Sequence, residues 1–108
     1  MKLRILKPDQ TREFTASVNV LSPGETEPQV CTVRFVELDR ERLEQALTDA
    51  DALLRRIVVH VDGLADAEGN DLPYSAEVLE ALLRRAYVRE ALLRTYTDHI
   101  TGERRLGN

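Results

Sequence analysis

The sequence predicts a small α+β domain: an N-terminal antiparallel β-hairpin plus a third strand, with three to four helices packed on one face. Three observations lead there. Two runs with apolar residues at alternate positions, 14–20 and 30–38, flank a loop that holds Pro23, Gly24 and Pro28. Two later stretches, 43–57 and 75–100, instead repeat their apolar residues every three or four positions. A short β-branched run at 57–61 separates them. At 108 residues the chain is most simply one domain, long enough for a modest core. We read 1–100 as that domain and 101–108 as a flexible C-terminal tail.

Taken in order, Met1, Leu3 and Ile5 alternate with basic residues and predict a short edge strand that stops at Pro8. Phe14, Ala16, Val18 and Val20 then alternate with Thr15, Ser17 and Asn19, the pattern of a half-buried strand. Cys31, Val33 and Phe35 share one face of the next run. The two runs pair most simply as an antiparallel hairpin, because a parallel pairing needs a longer crossover. Asp39 is placed to cap a helix whose stripe is Leu43, Ala46, Leu47 and Ala50, continued by Leu53, Leu54 and Ile57. New cap residues at 48–51 predict a break near Asp49 and a second short helix to about Arg56. Residues 57–61 follow as the third strand.

An acidic loop comes next: 62–71 carries Asp62, Asp66, Glu68 and Asp71 and no base. Ser75 then caps a helical stripe of Leu79, Leu82, Leu83 and Ala86, and Glu77 suits the positive end of that helix. Val88, Ala91, Leu92, Thr95 and Tyr96 make a second stripe. Tyr87 and Tyr96 are nine positions apart, roughly half a revolution on a continuous helix. Either the helix breaks near Ala86 or one ring is exposed, and both options stay open at this point.

Composition narrows the function. A hydrophobic share of 43% with 31% charged residues is ordinary for a globular chain. The net charge of −4 argues against a general nucleic-acid binder. No apolar run approaches the roughly 20 residues of a membrane span. The first ten residues lack a signal-peptide core, so the cytoplasm is the expected compartment. The single Cys31 has no partner for an internal disulfide and reads as a small core residue.

Four groups of residues bear on chemistry. Asp66, Glu68, Asn70 and Glu77 echo the spacing of a calcium loop, but Asp71 stands where such a loop needs glycine and Pro73 intrudes. His60 with Asp62, or His99 with Asp98, could form an acid–base pair, yet no nucleophile accompanies either. Arg84, Arg85, Arg89 and Arg94, with Glu80 and Glu90, read as a solvated face with intrahelical pairs. The three tyrosines all lie late in the chain, and their apolar bodies and polar tips suit an interface. No catalytic residue, metal site or cofactor is assigned, and no enzyme activity is expected.

The order of segments from residue 57 onward is distinctive. It runs from a β-branched run through D-G-x-x-D-x-x-G-x-x-L-P-Y-S-x-E-x-L-x-x-L-L, then Y-V-R-x-A-L, a tyrosine and a terminal G-x-x-R-x-G-N. The positions are Asp66, Gly69, Leu72, Tyr74, Ser75, Glu77, Leu79, Leu82, Leu83, Tyr87, Val88, Arg89, Ala91, Leu92, Tyr96, Gly102 and Asn108. This order resembles the tail assembly chaperones of long-tailed bacteriophages and prophages, and the likeness reaches back into the N-terminal half. Two positions depart from the family pattern. Ala86 stands where a proline usually divides two helices, and no tryptophan follows the third strand.

The resemblance implies a non-enzymatic protein of the bacterial host cytoplasm. Such a protein binds the long helical tape measure protein, keeps it soluble and recruits major tail tube protein around it. It leaves before the tail matures, and in many phages a ribosomal frameshift yields a longer form. On this reading Tyr74, Tyr87, Val88, Arg89, Leu92 and Tyr96 are the expected partner contacts, with homo-oligomerisation allowed and no nucleic acid or membrane partner. The alternative is a phage structural component, such as a head–tail connector or tail-completion protein. Readings as a metal-dependent hydrolase using His60, or as a DNA-binding regulator, rank below these.

Overall fold

In the computed structural model, which describes residues 1–7 and 9–102, the elements follow the expected order. They are β1 (Arg12–Val20), β2 (Gln29–Glu37), α1 (Arg40–Ala46), α2 (Ala50–Ile57), β3 (Val58–Asp62), α3 (Ala76–Leu83) and α4 (Ala86–Thr101). The sheet has the order β1-β2-β3 and both pairings are antiparallel. The fold is α+β, as the alternation of period two and period 3.6 predicts.

Register explains which face is covered. Phe14 pairs with Phe35, Ala16 with Val33 and Val18 with Cys31, so the apolar alternates of both strands point the same way. On that face Ala16, Val18, Val20, Val33 and Phe35 are buried, while Thr15, Ser17, Thr32 and Arg34 face outward. Between β2 and β3 the register shifts: Arg34 pairs with His60 but Phe35 pairs with Val58. Without that bulge Val58 and Val61, three apart, would point to opposite faces. With it both are buried.

The helices close the core from one side. Leu53, Leu54 and Ile57 of α2, Leu79 and Leu83 of α3, and Ala91, Leu92 and Tyr96 of α4 are buried against the sheet. Tyr96 is 1% exposed and its ring packs on Phe35 and Phe14, at centroid distances of 5.4 and 5.9 Å. Its hydroxyl donates to the Val36 carbonyl and accepts from the Leu38 amide, each at 3.0 Å. One side chain of α4 thus satisfies two backbone groups where β2 ends, groups that would otherwise be costly to desolvate.

Local chemistry sets the helix boundaries. The Asp39 carboxylate accepts from the Arg42 amide at 2.9 Å, and Asp49 accepts from Asp51 and Ala52 at 3.0 and 3.1 Å. The predicted break near Asp49 is therefore a new N-cap. Ser75 caps α3 through the Val78 amide at 3.2 Å. The open question about Ala86 resolves into two helices. Arg84 closes α3, and Arg85 adopts an extended conformation (φ −101°, ψ 116°) before α4. No proline is needed, and α4 turns to pack across β1.

Several expectations are corrected. Residues 1–7 form no strand, because Met1, Leu3 and Ile5 stay exposed and no sheet partner satisfies their backbone. Leu47 is 59% exposed, since α1 ends one residue earlier and the stripe loses phase. Ile57 ends α2, so β3 begins at Val58. Cys31 is half-buried near the sheet's end. Thr101 belongs to α4, and Gly102 caps it in the left-handed region (φ 84°). The remainder of the expected tail, 103–108, lies outside the described residues.

The charged helix face is also rearranged. Glu80 pairs with Arg55 of α2, not with an arginine of its own helix, through two contacts of 2.8 Å. The hydrogen bond from Arg55, reinforced by its charge, holds the Glu80 carboxyl below the usual glutamate range against a smaller opposing effect of desolvation. A depressed carboxyl pKa stabilises the fold above its unfolded value and loses that contribution as pH falls through the folded one. Acid unfolding of the wild type should therefore steepen below pH about 4.3, the ordinary glutamate value. Glu80→Gln should be the less stable protein at pH 7, have a flatter acid limb and converge with the wild type as pH falls through the folded pKa. Tyr96→Phe should cost roughly 1–3 kcal/mol in urea unfolding with an unchanged slope, because the Leu38 amide loses its partner in a buried place.

Candidate functional site

At the end of the sheet where β1 stops and β3 leaves, the structure holds an open cleft of about 630 Å³. Its floor is the end of the strands, with Val20, Cys31 and Val61 on the inward face and the exposed Val30 beside them. One wall is the loop 63–72. The other is the corner between α3 and α4, with Val78, Ala81, Leu82, Tyr87 and Val88, and Leu92 behind them. The lining is mainly apolar, and its size lies within the roughly 300–1,000 Å³ of sites that enclose a ligand or an anchor side chain.

The loop keeps its shape by internal bonding. Gly63 takes a left-handed conformation (φ 84°) that lets the chain leave β3 sharply. Ala65 and Asp71 form a bridge, and the Leu72 amide donates to the Leu64 carbonyl at 3.0 Å. The Asp66 carboxylate accepts from the amides of Glu68 and Asn70, at 3.0 and 2.9 Å. This is an Asx-type turn, with Gly69 (φ 86°) supplying the reversal. Leu64 and Leu72 flank the turn and both line the cleft. The calcium-like spacing thus serves backbone bonding at Asp66. Among the described residues no group of three or more His, Cys, Asp or Glu side chains is placed to hold a metal ion.

The six expected contact residues do not converge. Tyr87 and Val88 are half-buried and line the cleft. Leu92 reaches it only as part of the core, at 1% exposure, and Tyr96 at 1% is wholly engaged at the end of β2. Arg89 turns away to Asp51 of α2, at 3.7 Å. Tyr74 packs edge-on against His60, with centroids 5.5 Å apart, and burial raises its phenol pKa. Leu64, Leu72, Val78, Ala81 and Leu82 line the cleft without having been assigned to it. Leu64 and Leu72 did carry a signal: an apolar pair straddling an acidic turn has no reason to be there if the turn is merely solvated.

Both histidines have partners close in the chain. His60 Nε2 lies 2.8 Å from Asp62 Oδ1, as two positions on one strand face allow. Among the described residues no hydrogen bond joins that pair to a serine, threonine or cysteine. His99 Nδ1 lies 2.9 Å from the Thr95 carbonyl, to which it donates, and its ring stacks on Phe14 at 5.7 Å. Burial pushes the Cys31 thiol up, opposed in part by a backbone hydrogen bond.

Comparison of the chain with protein-family models, curated proteins and solved structures finds no match. Among the described residues no helix is long and apolar enough to cross a membrane.

An open apolar cleft should take up a fluorescent hydrophobic dye such as ANS. Ala81 is exposed on its wall, so Ala81→Glu should cut dye fluorescence several-fold. It should change unfolding free energy by no more than about 0.5 kcal/mol, as a surface substitution does.

Proposed function

We propose that this chain is a non-enzymatic tail assembly chaperone of a long-tailed phage or prophage, acting in the host cytoplasm. It binds a helical stretch of tape measure protein and recruits tail tube subunits to it. The ordered residue pattern from Asp62 to Tyr96 suggests the family. The observation that carries the mechanism is the cleft between the loop 63–72 and the α3–α4 corner, apolar within and open to solvent. A long helical client displays apolar stripes that aggregate when unpaired. A groove of this kind takes the anchor side chains of such a stripe at i, i+3 and i+4 and leaves the client's backbone untouched, which suits a reversible contact.

Within the cleft Tyr87 and Val88 are the best placed of the expected contacts, joined by Leu64, Leu72 and Leu82 from its walls. Leu92, being core, supports their position and does not itself present a surface.

The test is co-expression with the tape measure protein from the same gene neighbourhood, followed by size-exclusion chromatography. A complex that keeps the long protein in solution only when this chain is present is expected. Tyr87→Ala should weaken capture about tenfold, on the scale of an interface anchor, and Val88→Asp should abolish it, whereas Arg94→Ala on the exposed face of α4 should have no effect. Equal solubility of the long protein alone, or recovery of this chain as a permanent part of purified virions, would contradict the reading and favour a structural component.

A further inference from the structure

The first seven residues are out of place for a domain that otherwise hides its apolar side chains. Met1, Leu3 and Ile5 are 126%, 88% and 84% exposed, the three most exposed large hydrophobic residues described. They alternate with Lys2 and Arg4 and are followed by Lys7. In an extended segment Met1, Leu3 and Ile5 project to one side, and Lys2 and Arg4 to the other. This is an apolar edge backed by positive charge.

The cleft offers the complement. Its interior is apolar, and the loop that forms one wall carries Asp66, Glu68 and Asp71, with Asp62 at the end of β3 just before it. Between 62 and 71 there is no basic residue, and among the described residues Arg85 is the one cation on the cleft's lining. Asp66 is bonded to its own loop, but Glu68 and Asp71 stand exposed. An arm with three apolar residues and three cations meets a cleft with an apolar interior and two exposed carboxylates, Glu68 and Asp71, on the loop that forms one wall.

The arm does not sit at its own cleft. Leu3 and Ile5 lie beside Glu37, Asp39 and Arg42, near the start of β1. The cleft begins at Val20, where the nine residues of β1 end, roughly 27 Å further along the sheet. We infer that residues 1–7 of one copy occupy the cleft of a second copy. Met1, Leu3 and Ile5 enter between Leu82 and Leu72, and Lys2 and Arg4 face Glu68 and Asp71. Reciprocal exchange closes a two-fold pair in which both clefts are filled and both arms are covered. The exchanged arm and a client helix would compete for the same cleft, so the pair is the state of this chain without client.

The single native cysteine makes the contact directly measurable, because Cys31 lines the cleft and no other thiol exists in the chain. The probe is Leu3→Cys in the full chain, oxidised mildly with copper phenanthroline and followed by non-reducing electrophoresis and peptide mapping. A covalent dimer linked between position 3 and Cys31 is expected, and that link should vanish in Leu3→Cys with Cys31→Ser. A link between the same positions within one chain, or dimers joined only through position 3, would overturn the proposal. Light scattering supplies the second reading. Lys2→Glu with Arg4→Glu, at exposed positions that bear on no core contact, should weaken self-association at least about tenfold and lose most of its salt sensitivity. Adding Glu68→Lys and Asp71→Lys should restore it. Self-association indifferent to these charges would overturn the proposal, and so would a monomer at every concentration. Because no other protein is present, failure here leaves the chaperone reading standing, and failure of client capture leaves this one standing.

Discussion

The Tyr96 hydroxyl is the contact on which the rest of the arrangement depends. It stands on the third turn of α4, yet its two partners are the Val36 carbonyl and the Leu38 amide, some sixty residues earlier. Those groups lie where β2 gives way to the segment before α1, a place where ladder bonds run out and no helix has begun. By donating to one and accepting from the other, a single phenol fixes α4 against the sheet and sets the direction in which the chain leaves it. The ring beneath is held by Phe35 and Phe14. Burial raises the phenol's pKa against the opposing effect of its bond with Leu38, so it stays neutral and keeps its proton for Val36.

With α4 pinned at that end, the shape of the opposite end follows. Arg85 is extended, so α3 and α4 meet at a corner and cannot run on as one rod. The corner holds Leu82 and Val88 off the sheet's end, and the bonded turn around Asp66 holds Leu64 and Leu72 off it from the other side. The gap between them is the cleft. Val61 pairs in register with Val33 and faces inward with it, where it forms part of the floor. The bidentate Arg55–Glu80 pair ties α2 to α3, but it is exposed and solvent screens it.

Sequence reasoning reached most of this scaffold because the signals are local. Alternation in Phe14 to Val20, the caps at Asp39, Asp49 and Ser75, and the stripe at Leu79 and Leu83 each follow from nearest neighbours in the chain. What it could not reach depends on tertiary packing. The division at Arg85 carries no proline or glycine, so nothing local announces it. Leu47 sits in phase with its stripe but falls beyond the end of α1. Met1, Leu3 and Ile5 alternate like a strand, yet a strand needs a partner and that choice is made elsewhere. The lining of the cleft was half legible: Tyr87 and Val88 of the Y-V-R segment lie on it, whereas Tyr96 and Leu92, in the same stripe, hold the helix down. A helical stripe identifies the face that is buried. It does not say whether the protein or its partner buries it.

We propose that a client helix docks in the cleft between the loop 63–72 and the α3–α4 corner. Backbone amide chemical shifts, followed as synthetic amphipathic segments of tape measure protein are added, test it most directly. The account predicts that the largest changes fall on 64–72, 78–82 and 87–88, with the outward positions Thr15, Ser17 and Thr32 unmoved. Changes concentrated on that outward sheet face, with the cleft amides unaffected, would contradict it.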